Sequence, residues 1–200
     1  MPKETMGVLK TAARVMTRPY DFLKSEAASI NVRDAVRYYV ALSVILAIMT
    51  PVANIAGFPS DVIHASTNAQ MGAYKYSPLL EQRLGASRHL WTGVLTLVLM
   101  LVKLPAFVAF YHIFALLLGG KGDLKASLKV AVFPATPAML FGWVPYSDFL
   151  FGLWVAFFLV PAFRYLHDVR WGRAIAFVTV MIGLQILYVV LTGGGWLIEP

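Results

Sequence analysis

Cysteine is absent from this 200-residue chain. Its absence excludes disulfides, zinc–thiolate sites and thiol nucleophiles, and it leaves the redox compartment open. Charge is scarce as well: 14% of residues are Asp, Glu, Lys or Arg, against about 25% in a soluble domain. Acidic residues are the rarer sign, ten against seventeen Lys and Arg, and none lies inside a predicted span. No carboxylate pair is therefore expected for acid–base work there. The chain has no His-Glu-x-x-His and no Gly-x-Ser-x-Gly, and His64, His89, His112 and His167 are scattered rather than set at ligand spacing. No Asn-x-Ser/Thr sequon occurs. No cleavable leader is expected, because charged residues continue from Lys3 to Arg37 with no apolar stretch of the required length. The chain is thus not expected to be an enzyme, and no metal or cofactor is expected.

What the chain has instead is apolar length. Hydrophobic residues make up 59% of it. The run from Leu90 to Leu118, about 29 residues, is roughly 43 Å long as a helix, more than a bilayer core of about 30 Å needs. Five such runs are read as membrane spans, at 36–55, 90–118, 127–144, 149–163 and 174–191, within a transmembrane domain of residues 36–195. Residues 57–88 form a long polar connection with a short surface helix near Pro78–Leu84. Residues 1–35 precede the first span. From Lys3 to Thr17 the apolar side chains, Val8, Ala12 and Val15 among them, fill one arc of a helical wheel, opposite Lys3, Lys10 and Arg14. Such a helix suits an anionic membrane face, or else packing on the protein's own surface. The fold class is all-α: an integral membrane bundle of five transmembrane helices with an N-terminal amphipathic interfacial helix.

Cations set the orientation. The N-terminal segment through Arg37 has seven, three lie at 121–129 and three at 164–173, while the opposite side carries Lys75, Arg83 and Arg88. Thirteen against three is a positive-inside bias. It predicts a cytoplasmic N-terminus and an extracytoplasmic C-terminus in a cell membrane. Lys10, Arg14, Lys121, Lys125, Lys129, Arg170 and Arg173 form a candidate basic face for lipid or partner. Nucleic acid is not expected, since no basic surface is interleaved with aromatics. The turn GGKG at 119–122 fails the phosphate-loop pattern and reads as a helix cap.

Away from the cationic span ends, where Arg37 and Lys129 lie, the polar side chains inside the bundle, hydroxyls aside, are Lys103, His112, Asn54 and Gln185. A cation at membrane depth must snorkel, find a partner or line a polar cavity. Pro105, Pro134, Pro137 and Pro161 free the carbonyls of Leu101, Val130, Phe133 and Phe157. Lys103 is expected to satisfy such carbonyls in the bundle interior. An alternative function follows from the same residues: a small transporter or channel component that uses Lys103 and the broken helices as a polar path.

The stretch HIFALLLGGKGDLKASLKVAVFPATPAMLFGWVP, residues 112–145, and the later HDVRWGRAIAFVTV resemble the Yip family of Ypt/Rab-interacting membrane proteins, especially its short prokaryotic members. The resemblance implies five spans, a cytoplasmic N-terminus and a non-catalytic role in organising membrane or recruiting partners. The Asp-Leu-Tyr-Gly-Pro motif of eukaryotic members has no counterpart here, where the chain reads INVRDAVRYYV, and Val132 and Phe133 replace a Gly-Tyr pair. Binding of small GTPases is not carried over. The expected partners are anionic lipids, a protein that the residues do not name, and further copies of the chain.

Overall fold

Two polar side chains begin helices earlier than hydropathy suggests. Asn31 accepts the Asp34 N–H at 2.8 Å, and Asp123, in extended conformation, accepts the Ala126 N–H at 2.9 Å. Each satisfies an amide that would otherwise be orphaned in a first helical turn. The helices behind them therefore start at Val32 rather than Val36, and at Leu124 rather than Ser127.

The computed structural model describes residues 7–56, 87–144 and 147–191. All regular structure among the described residues is helical. In chain order it comprises α1 (Val8–Thr17), α2 (Pro19–Asp21), a π-helical turn at Phe22–Glu26 and a 3-10 turn at Ala27–Ser29. Then come α3 (Val32–Ile55), α4 (Arg88–Leu117), α5 (Leu124–Val132), α6 (Thr136–Phe141), α7 (Ser147–His167) and α8 (Trp171–Leu191). The surface helix expected near Pro78–Leu84, most of the 57–88 connection, and residues 3–6 of the amphipathic segment lie outside the described residues.

Three stretches are long and apolar enough to cross a membrane: Val32–Ala53, Leu90–Leu117 and Leu124–Phe141. Only 6% of the second is buried by the chain itself, so α4 presents apolar side chains that water would not tolerate and lipid would. The apolar stretches described in α7 and α8, Phe151–His167 and Trp171–Leu184, are shorter.

The third stretch is two helices, not one. Its break lies at Phe133–Ala135, where Pro134 and Pro137 remove two amide donors. The Phe133 carbonyl is taken up by the Thr136 hydroxyl at 2.8 Å, and that hydroxyl also bonds Tyr38 Oη at 2.9 Å. The break is thereby tied to α3. Pro105 and Pro161 sit inside α4 and α7 without ending either helix.

α3 and α4 approach closely because of another proline and a glycine. Pro51 frees the carbonyl of Ala47. That oxygen lies 2.7 Å from where a Cβ on Gly93 would stand, so only glycine lets α4 rest on it. One α-helical hydrogen bond is lost at Pro51, and the freed carbonyl faces Gly93.

The core sits toward one end of the bundle. Phe22, Leu23, Phe133 and Phe163 are fully buried there, and Phe22 meets Phe133 edge-on at 4.9 Å. The apolar arc of α1 is divided: Ala12 and Val15 are buried in this core, whereas Leu9 remains 74% exposed. The segment from α1 to the 3-10 turn thus forms a collar packed on the bundle.

Candidate functional site

The turns that join α4 to α5 and α7 to α8 meet at one end of the bundle. α4 ends in a Schellman cap: Gly119 has φ +79°, Gly119 N–H donates to Leu116 O at 2.9 Å and Gly120 N–H to Ala115 O at 2.7 Å. Asp168, at φ +54°, ends α7. The turns are joined by Lys121 N–H donating to His167 O at 2.8 Å and by Arg173 Nη1 donating to Leu118 O at 3.0 Å. The glycines follow from this closeness. A Cβ at Gly120 would stand 2.8 Å from Ala115 O and 3.0 Å from His167 O. One at Gly122 would overlap the His167 ring.

Beneath the turns, three helices exchange hydrogen bonds through one hydroxyl. Ser127 Oγ on α5 is 3.0 Å from His112 Nδ1 on α4 and 3.0 Å from His167 Nε2 on α7. Two of the four histidines, His112 and His167, are therefore brought together. His167 is 1% exposed, and its Nδ1 has no hydrogen-bond partner among the described residues. Ser127 Oγ also lies 3.4 Å from Asp123 O, so its one proton has three acceptors to choose from. When His167 carries its proton on Nε2 and donates to Ser127, the partnerless Nδ1 holds a lone pair rather than an unsatisfied N–H, and this tautomer is the cheaper. Burial, reinforced by His112, pushes the His167 imidazole down to about 4, with Asp123 acting against them. The Asp123 carboxyl is itself held below its usual range by the Ala126 N–H.

A serine beside histidine has the spacing of a hydrolase nucleophile and base. Ser127, however, is 0% exposed and is shared by a second imidazole, so no substrate reaches it. The group clasps α4, α5 and α7 together.

The collar joins the same end. Tyr20 stacks on Trp171 at 5.8 Å, and both meet Tyr165 edge-on. Arg14 pairs with Glu26 at 2.6 Å.

The basic positions singled out from the sequence divide. Lys10, Lys121, Lys125 and Arg170 are exposed. Arg14 and Arg173, also exposed, are engaged as described. Lys129 does not stand on an open face. It is 8% exposed, and its Nζ donates to Ala28 O at 2.7 Å. Lys103 does not reach the carbonyls freed by proline: it has no hydrogen bond or ion pair among the described residues. At the Phe133 carbonyl the nearby Thr136 hydroxyl is the donor instead. Tyr39 Oη of α3 donates to Met100 O at 2.9 Å, so the stretch of α4 one turn before Lys103 is tied to α3. Asn54 and Gln185 fall in α3 and α8, and their side chains lie outside the described residues, as do His64 and the side chain of His89.

No group of three or more His, Cys, Asp or Glu among the described residues could hold a metal. No curated protein and no solved structure matches the chain. The Yip1 domain family model matches residues 13–193. That match takes in the collar from Ala13 onward, the clasp and both turns, and the chain belongs to the Yip1 domain family, a family of membrane proteins.

Proposed function

We propose that the chain is a non-catalytic integral membrane protein that crosses the bilayer five times, keeps its basic end in the cytoplasm and gathers lipid or protein partners there. One observation carries the reading. Three segments that hold twelve of the seventeen Lys and Arg residues, 7–37, 121–129 and 164–173, are packed together at the same end of the bundle, through the Tyr20–Trp171, Lys121–His167 and Arg173–Leu118 contacts. A bilayer that retains positive charge on its inner side favours that end inside. α7 and α8 have 21 residues each, roughly 31 Å of helix, which suffices for two further crossings.

The polar-path alternative has less support. Lys103 has no polar partner among the described residues, and the crevice beside it is lined by Ala106, Phe107, Phe110, Tyr111, Leu159 and Phe177, with Met181. The test combines capture and flux. A partner retained from native membranes in mild detergent should be released when Lys121, Lys125 and Arg170 are changed to Gln together, and proteoliposomes should show no selective flux. A selective flux abolished by Lys103→Met would overturn the proposal.

A further inference from the structure

Between the start of α3 and the first turns of α5 lies a cavity of about 530 Å³ lined by Ile30, Asn31, Val32, Arg33, Lys125 and Lys129. Half of its lining is cationic, and no carboxylate lines it. The two nearest acids are occupied: Asp34 accepts from Asn31 and pairs with Arg37 at 3.8 Å, and Asp123 caps α5. Arg33 and Lys125 are exposed and form no hydrogen bond or ion pair among the described residues. Lys129 is the informative member. It is 8% exposed as a residue, and its Nζ has one neutral carbonyl as hydrogen-bond partner. It forms no ion pair among the described residues, Asp123 acting on it only from beyond ion-pair distance, and it has two further N–H donors to offer. Such a group calls for an anion.

We infer that this cavity binds the phosphate of an anionic membrane lipid, with Arg33, Lys125 and Lys129 as its ligands. Two features select a lipid over a free phosphate. The cavity lies where two membrane-crossing stretches, Val32–Ala53 and Leu124–Phe141, both begin, which is headgroup depth. From its rim at Val32 the exposed side of α3 continues as Val40, Val44 and Ile48, an i+4 ridge along which an acyl chain can lie. Guanidinium and ammonium groups then hold the phosphate by charge-assisted hydrogen bonds, strengthened by partial burial. The inference deepens the proposed function and rests on its placement of this end at a bilayer face.

The test uses the full chain, purified in detergent and titrated with phosphatidylglycerol, with phosphatidylcholine and with inorganic phosphate alone. Binding is read by native mass spectrometry and by the shift in unfolding temperature. Phosphatidylglycerol should bind and stabilise, and the other two should not. Arg33→Gln combined with Lys125→Gln should weaken that binding by about tenfold or more. Arg18→Gln combined with Lys24→Gln, exposed elsewhere on the basic end, should leave it unchanged. The first pair is exposed, so its helicity should match that of the parent. Equal losses from both pairs would mean diffuse attraction and overturn the site. Equal binding of phosphatidylcholine, or equal protection by inorganic phosphate, would overturn it too. A selective flux abolished by Lys103→Met, with phosphatidylglycerol binding intact, would sink the proposed function and leave this site standing.

Discussion

At the residue scale, the His112–Ser127–His167 clasp is where sequence reading fell short. No spacing rule links histidines on helices this far apart in the chain. A signal was present in Gly119, Gly120 and Gly122, whose crowding implies a close neighbour, but it does not name the neighbour. The neutral His167 makes stability depend on pH. Its folded value of about 4 lies below the ordinary 6.5, so as pH falls the unfolded chain takes up this proton first. The contribution is complete above about pH 6.5 and is lost toward pH 4. Thermal unfolding in detergent should show the temperature midpoint declining across that window. His167→Gln, which can still bond Ser127, should decline less steeply.

At the element scale, hydropathy located the long helices, whereas the prolines named four candidate breaks of which Pro105 and Pro161 stay inside unbroken helices and only the Pro134–Pro137 pair coincides with a helix end. Polar starts were harder to read, because Asn31 and Asp123 act through single hydrogen bonds that no average over a window records. The donor at the break was misassigned for a similar reason: a hydroxyl three residues away needs little ordering, whereas a lysine on another helix must give up much side-chain entropy. The α3–α4 contact yields a sharper expectation. A methyl group at Gly93 would meet the Ala47 carbonyl, which is backbone and cannot turn aside. Gly93→Ala should therefore cost about 1–3 kcal/mol, and Gly93→Leu more. Gly152→Ala, which has open space around it, is the control. Midpoints of denaturation in mixed micelles would rank the three.

For the whole molecule, the bundle class, the family and the clustering of charge were legible, because each is written in long apolar runs and the gaps between them. The inward turn of Lys129 was not, since a lysine in a basic turn reads as exposed unless its carbonyl partner, Ala28, is known to lie alongside. Topology can be tested directly, as any cysteine introduced is the only one present. Cysteines replacing Lys10, Lys121 and Arg170 should label from the inner side alone, and one replacing Lys75 from the outer side alone. Labelling of Lys10→Cys and Lys121→Cys from opposite sides would refute the five-span arrangement.

The collar has a consequence for biosynthesis. Phe22 leaves the ribosome long before Phe133, and Tyr20 before Trp171, so the first helices made have nothing to dock on until the second half of the chain arrives. At about 5–20 residues per second the wait is roughly ten seconds. During it the amphipathic α1, with Ala12 and Val15 not yet covered, has the bilayer surface as its available resting place. Closure of the collar would then be the last step of assembly, and an insertase or chaperone that acts on this protein would meet it in that unfinished form.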